Sequence, residues 1–261
     1  MSPLQLLCVT FAPVFMNLAI DIGNTRRKIG RFDGSRLIEH KVVTDWTTED
    51  LLQYCNQTKV RRIILASVSI VEEELLTTLA QHFDFMELTH KTSLPFTNRY
   101  ATPETLGKDR LAAVAGAQTL LPNQHCLVVD CGTCIKYDAL TLTGDYLGGN
   151  IAPGLGMRAK AMHHFTARLP EVSLQMPTDF IGQSTETALQ NGAFRGAILE
   201  IEGFIQLFQT QLSPLQVILT GGDATFLKPF LKATNVVIEP HLTLHGLNHI
   251  LNFNRRKHPA A

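Results

Sequence analysis

The chain of 261 residues has no surplus of charge of either sign. Its 23 basic residues balance 23 acidic ones, and no block of like charge appears, so neither nucleic acid nor an anionic membrane is indicated as a partner. Cysteine is sparse. The five present are an odd number without framework spacing, which suits a reducing cytoplasm better than secretion. A Gly-x-x-x-x-Gly-Lys-Ser/Thr phosphate loop is missing, and so is the nucleophile elbow of serine hydrolases. No low-complexity linker divides the chain, whose length allows one large domain or two small ones with a sizeable core. Leu4 to Ile20 is apolar, but it lacks a positively charged start, contains Pro13 and merges into the first motif strand. The expectation is that Met16 is the natural start and residues 1–15 an upstream extension.

What is present centres on Leu18-Ala-Ile-Asp-Ile-Gly-Asn-Thr-Arg-Arg-Lys28, an apolar strand that runs into an acid, a glycine and two small polar residues. Gly23 can take a backbone shape closed to other residues, leaving Asn24 and Thr25 to aim donors outward as an anion cradle. Lys28 lies within reach of a phosphate there, and Asp21 can hold a hydrated Mg²⁺ beside it. Taken alone, the stretch equally fits a plain hairpin. The pattern returns, however, in Leu127-Val-Val-Asp-Cys-Gly-Thr-Cys-Ile-Lys-Tyr-Asp138, where Asp130 is followed by Gly132 and Thr133, and a third apolar strand ends at Thr220-Gly-Gly-Asp223. Three such ends can converge on one nucleotide.

Around these motifs the hydrophobic pattern predicts strands at 28–32 and 37–43 joined by an Asp33-Gly34 turn, then a helix through 51–55 capped by Thr47 or Thr48. A buried strand at 62–67 and an amphipathic helix at 71–82 follow. Leu106-Gly-Lys-Asp-Arg110 leads into an Ala-rich helix over 111–121, which puts Asp109 and Arg110 near an electropositive helix N-terminus. Asp109 also fits an ordinary N-cap, with Arg110 its solvated neighbour. The second half predicts strands from Leu127, a Gly144-Asp145 turn, a helix ending at His164, a long helix to about Thr210, strands at 217–219 and 236–238, and helices at 224–231 and 242–251. Strands followed by alternating strand and helix, given twice, predict a duplicated α/β fold with a cleft between similar lobes at 16–122 and 123–261.

Competing motifs are weaker. Gly154-x-Gly156-x-x-Ala159 matches a dinucleotide fingerprint but follows Pro153 rather than a buried strand. Cys131-x-x-Cys134 sits inside the second glycine hairpin, where two small apolar fillers are expected rather than a redox pair. His163 and His164 are adjacent and point to different faces of a helix, as packing or surface residues do.

Asp21-x-Gly-Asn-Thr-x-x-Lys28, Tyr100-x-x-Pro-Glu-x-Leu-Gly-x-Asp-Arg110, Asp130-x-Gly-Thr133, Gly148-Gly-x-Ile-x-Pro-Gly154, Thr166-Ala-x-Leu-Pro170, Gly182-x-x-Thr185 and Thr220-Gly-Gly222 occur in that order. Together they resemble type III pantothenate kinase, the Bvg accessory factor-like family of the acetate and sugar kinase/Hsp70/actin superfamily. The resemblance implies a duplicated ribonuclease H-like fold and ATP-dependent phosphorylation of pantothenate to 4'-phosphopantothenate, the first step of coenzyme A synthesis, in the cytoplasm. It implies ATP binding by Asp21, Ile22, Gly23, Asn24, Thr25, Arg26, Arg27 and Lys28, by Gly132 and Thr133, and by Gly221 and Gly222. It assigns pantothenate to Tyr100, Gly107, Lys108, Asp109, Arg110 and Thr185, with Asp109 as catalytic base and the site at a homodimer interface. Mg²⁺ accompanies ATP through water on Asp21, and Asp130 matches the position that binds a monovalent cation, K⁺ or NH₄⁺.

On the residues themselves, Arg110 can hold the substrate carboxylate or keep Asp109 ionised. Two departures stand out: Cys134 and Lys136 replace residues that are often Ala and Thr, and Ala113 and Val114 occupy a region where an Asn is common. Lys136 can strengthen ATP binding or point to solvent, and solvent is the expectation. A related kinase for a sugar or N-acyl hexosamine would keep the glycine loops without needing the block from Tyr100 to Arg110. A non-enzymatic regulator would be expected to lose one of Asp21, Asp109 and Asp130, and all three are present.

Overall fold

The computed structural model describes residues 15–23, 26–44 and 46–257. The expected upstream extension, Asn24 and Thr25 lie outside them, Phe15 excepted.

Strand β1 (Met16–Ile22) is followed by β2 (Arg27–Asp33), β3 (Arg36–Val43), helix α1 (Thr48–Gln57), β4 (Val60–Ser67), α2 (Glu73–His82) and β5 (Asp84–Glu87). Thr47 caps α1 with a full capping box, its side chain accepting from the Asp50 N–H while the Asp50 carboxylate accepts from the Thr47 N–H. A short β6 (Thr97–Asn98) and helix α3 (Lys108–Leu120) lead into β7 (His125–Cys131), β8 (Cys134–Leu140) and β9 (Asp145–Pro153). Then come α4 (Leu155–His164), α5 (Thr185–Gln211), β10 (Leu215–Thr220), the short α6 (Ala224–Leu227) with a 3₁₀ turn after it, β11 (Val236–Ile238) and α7 (Leu242–Lys257). The periodicity of the sequence does not announce β5 and β6. They are short and their side chains are half-exposed or exposed, so neither leaves an apolar run.

The two sheets repeat one plan. The first runs β3-β2-β1-β4-β5 and the second β9-β8-β7-β10-β11, with β6 added beside β9. In each, the first three strands are antiparallel neighbours and the last two join in parallel, so β1 corresponds to β7 and β4 to β10. Central strands covered on both faces read as continuous apolar runs, as Leu18–Ile20 and Leu127–Val129 do.

Helices α3 and α7 lie between the sheets. Ala112, Val114, Leu247 and Ile250 join Ala19 and Ile64 of the first sheet to Val128 and Ile218 of the second in one core. The two helices cross very closely: a Cβ on Gly246 would stand 1.7 Å from the Ala112 carbonyl oxygen, and one on Gly116 2.3 Å from that of Leu242. Only glycine fits at both contacts. The last helix thus closes on the first sheet, and Asn248 receives a hydrogen bond from Asn17 (2.7 Å) and donates one to the Gly34 carbonyl (2.9 Å). Outside this sandwich, α1 and α2 cover the first sheet through Leu51, Tyr54 and Leu79, and α5 covers the second through Phe194 and Ile201.

Candidate active site

The ends of β1, β7 and β10 meet at a cleft of about 1250 Å³ between the sheets, lined from the first loop by Asp21, Gly23, Arg26 and Lys28. The second loop contributes Asp130, Gly132 and Thr133, and the third Thr220 to Asp223. Gly221 has φ +90, and a Cβ on it would stand 2.5 Å from Asp130 Oδ1, so the third loop rests directly on the acid of the second. Across the cleft the start of α3 presents Gly107, Asp109 and Arg110, with Tyr100 beside them.

Hairpin register decides which side chains face this space. Asp21 lies opposite Lys28 in the β1–β2 ladder, and Asp130 opposite Lys136 in the β7–β8 ladder. Strand alternation turns the neighbours the other way, so Ile22 and Arg27 line a separate cavity of about 430 Å³ on the far side of the first sheet. Their side chains are not brought to the cleft, contrary to the expectation for an uninterrupted ATP-binding run. Lys108 turns back to donate to the Leu106 carbonyl (3.3 Å). Thr185 stands in the first turn of α5, whose N-cap is Ser184, outside the cleft lining.

Asp109 is held from two sides. Its Oδ1 accepts the Arg110 N–H at 2.9 Å, and its Oδ2 lies 2.5 Å from Lys136 Nζ. Gly107, not Asp109, is the N-cap of α3, and Asp109 sits in the first turn, where the helix dipole favours a carboxylate. Lys136 Nζ also lies 2.7 Å from Asp130 Oδ2. The expectation that Lys136 points to solvent is therefore overturned: its side chain is 16% exposed and bridges two carboxylates, because the two-residue turn at Gly132-Thr133 brings it level with Asp130. Burial works against its positive charge, but Asp130 and Asp109 outweigh burial and push its pKa up.

Among the described residues Asp21 has no such ion pair. Burial is the main cause that lifts its pKa to about 6; Lys28 opposes the shift, while Asp109 and Asp130 add to it. Burial likewise raises Asp223, with Arg26 opposing, which sets the first loop facing the third.

The Arg110 guanidinium is not paired with the Asp109 carboxylate, and the side chain is not solvated. It is buried against Asp138, with Nε at 2.9 Å and Nη2 at 2.7 Å from Asp138 Oδ1, and Tyr146 donates its hydroxyl to the same oxygen at 2.7 Å. Burial raises the Asp138 pKa while Arg110 opposes it, and the guanidinium lies over the Tyr100 ring at 5.4 Å. Asp138 and Tyr146 were missed by motif reading. The signal for Asp138 was its place two residues beyond Lys136 on the same strand face. Cys131 is buried and its thiol pKa pushed up, chiefly by burial, as befits a filler; Cys131 and Cys134 are free thiols.

Comparison with known proteins decides the family. The family model described as type III pantothenate kinase matches residues 17–207. The chain belongs to the type III pantothenate kinase family. Type III pantothenate kinases of Phocaeicola vulgatus and Christiangramia forsetii are 42% and 40% identical to it over 240 and 245 residues, 92% of this chain and 99% of each relative. A solved structure titled as a Baf family transcriptional activator from Campylobacter jejuni superposes with TM-score 0.61 at 26% identity, covering 92% of this chain and 99% of that one. At fold level only, component A of (R)-2-hydroxyglutaryl-CoA dehydratase from Acidaminococcus fermentans matches with TM-score 0.51 at 11% identity, over 93% of this chain and 98% of that one. The duplicated, two-lobed ribonuclease H-like fold of the actin-like ATPases is the fold of this chain.

The cation that the resemblance assigns to Asp130 meets an obstacle in this member of the family. The facing oxygen already has an ammonium at 2.7 Å, closer than a second cation beside it would tolerate. The residues present do not fit K⁺ or NH₄⁺ at Asp130. Asp21 fits its expected partner better: a single carboxylate facing the cleft suits Mg²⁺, which keeps most of its waters and binds through one or two carboxylates plus substrate phosphates.

Proposed function

We propose that the cleft transfers the γ-phosphoryl group of ATP to the primary hydroxyl of pantothenate, forming 4'-phosphopantothenate, with Asp109 accepting the hydroxyl proton. The observation that supports this most is the convergence of three glycine-bearing strand ends on one cleft whose far wall offers a fixed carboxylate. Phosphoryl transfer asks little covalent work of a protein. It asks for oriented oxygens, neutralised charge and a group that takes the proton.

The backbone of Gly221 and Gly222 lies on the cleft wall where phosphate oxygens need donors, the Gly23 and Gly132 N–H groups close their own hairpins onto the Arg26 and Cys134 carbonyls, and Lys28 and Arg26 bring positive charge to the same wall. Asp21 would hold the Mg²⁺ that accompanies ATP, which would supply charge to neutralise the phosphates. Asp109 keeps one orientation because an N–H and an ammonium each hold one of its oxygens, which spares reorganisation when the hydroxyl arrives. Tyr100 and Arg110 form the pantothenate end, where the Asp138 contact prevents the guanidinium from swinging away.

Thr185 lies outside the cleft of its own chain. A homodimer that completes the pantothenate site across its interface would give it a role, and the exposed Phe180 and Ile181 just before it are surfaces such an interface would cover. No described helix is long and apolar enough to cross a membrane. A cytoplasmic setting is the reading that agrees with free, buried thiols at Cys55, Cys126 and Cys131.

The test is product analysis. Incubated with Mg-ATP and pantothenate, the protein should release ADP and an equal amount of pantothenate bearing one added phosphoryl group, seen by mass spectrometry. ADP release that ignores pantothenate would contradict the proposal.

A further inference from the structure

We infer that the Lys136 ammonium serves as a built-in monovalent cation for this active site, so that turnover needs neither potassium nor ammonium. The inference rests on the phosphoryl-transfer reading above and goes beyond it by replacing an expected cofactor with a side chain of the chain itself.

The geometry is specific. Nζ lies 2.7 Å from Asp130 Oδ2, the distance of a charge-assisted hydrogen bond, and closer still, 2.5 Å, to Asp109 Oδ2. One positive charge thus joins the acid of the second glycine loop to the acid at the start of α3, on opposite walls of the cleft. A free ion would do the same work, drawing together two carboxylates that repel. A tethered ammonium does it without a binding equilibrium, because β8 fixes Lys136 level with Asp130 in the ladder. The charged groups facing it are Asp109, Asp130 and, further off, Asp21; Arg110 is turned onto Asp138. Lys136 acts through Asp109 and Asp130, so it is a positioning residue. It holds the proton acceptor and the phosphate-side acid in register.

The experiment compares the full-length wild type with Lys136→Ala in potassium, ammonium, sodium and choline chlorides at equal ionic strength. Two quantities are read: pantothenate-dependent ADP release, and the melting midpoint without substrates. Wild-type turnover should be the same in all four salts, and its midpoint should not separate potassium from sodium. In sodium and choline Lys136→Ala should lose about 10²-fold in kcat, the scale of removing one positioned electrostatic group, and regain part of it in potassium or ammonium. Its midpoint should rise selectively with those two ions. Wild-type turnover that is poor in sodium and recovers with potassium overturns the inference. So does a wild-type midpoint that potassium raises above its sodium value, even if pantothenate proves to be the wrong substrate. A flat wild-type midpoint supports the inference, and absent pantothenate turnover in every salt then counts against the phosphoryl-transfer reading alone.

Discussion

The β1–β2 hairpin and the β7–β8 hairpin are two copies of one device, and they differ at the charge. Both place a lysine level with the acid that ends the first strand, Lys28 opposite Asp21 and Lys136 opposite Asp130. In the second hairpin a two-residue turn and a facing Asp109 draw the lysine into two ion pairs. In the first, four residues separate the strands, and among the described residues no ion pair joins Lys28 to Asp21. Asp21 therefore stays buried with its pKa near 6, a carboxylate whose charge awaits a partner from outside. Duplication supplied two such hairpins; the lysine is paired in one, and the other is the hairpin to which the proposed reaction assigns Mg-ATP.

Two positions beyond the lysine the copies diverge again, Asp138 in the second hairpin against Gly30 in the first. Asp138→Asn should produce the largest stability loss, about 3–5 kcal/mol, because it strands a buried guanidinium. Urea denaturation checks it, and a loss under 1 kcal/mol, the scale of a surface pair, would mean that Arg110 finds a substitute partner.

Neutralising the two loop acids should then give opposite signs. Asp130→Asn should destabilise by about 1–3 kcal/mol, since Lys136 keeps only one of its carboxylates. Asp21→Asn should stabilise by about 1–3 kcal/mol near pH 8 while abolishing most activity. The sign follows from linkage: a carboxyl whose folded pKa is raised binds its proton more tightly folded than unfolded. Stability from that group is then lost as pH climbs from 3.8 to about 6, and the gain from Asp21→Asn should vanish near pH 4. Melting curves of both variants at the two pH values break the comparison if the signs agree.

The smallest effect is a pH limb. With Asp21 required as the anion, kcat/KM for Mg-ATP should fall about tenfold per unit below pH 6. A profile flat to pH 5 would remove Asp21 from that role.

Much of this was legible in the sequence, for reasons particular to each element. Strand, acid and glycine recur in both halves, so Asp21 and Asp130 could be placed at equivalent strand ends. The Ala-rich run after Asp109 fixed the start of α3 within a few residues. Lys136 was not legible, since charge on a strand usually marks a solvated face. Only the register of the hairpin, set by the length of the turn, shows that it faces Asp130. The destination of α7 was hidden for a different cause. Its amphipathic pattern says that one side is buried but not against which sheet, and the contacts that decide this, Asn17 to Asn248 and Gly116 to Leu242, join residues far apart in the chain.

The measurement that tests the central claim most directly is steady-state turnover of Asp109→Asn on pantothenate beside its ATP affinity by calorimetry. The account predicts kcat lower by about 10²–10⁴-fold, the range for losing a positioned proton acceptor, with ATP affinity kept. Near-normal turnover would contradict it, because the fixed carboxylate at the start of α3 would then not be the group that takes the hydroxyl proton.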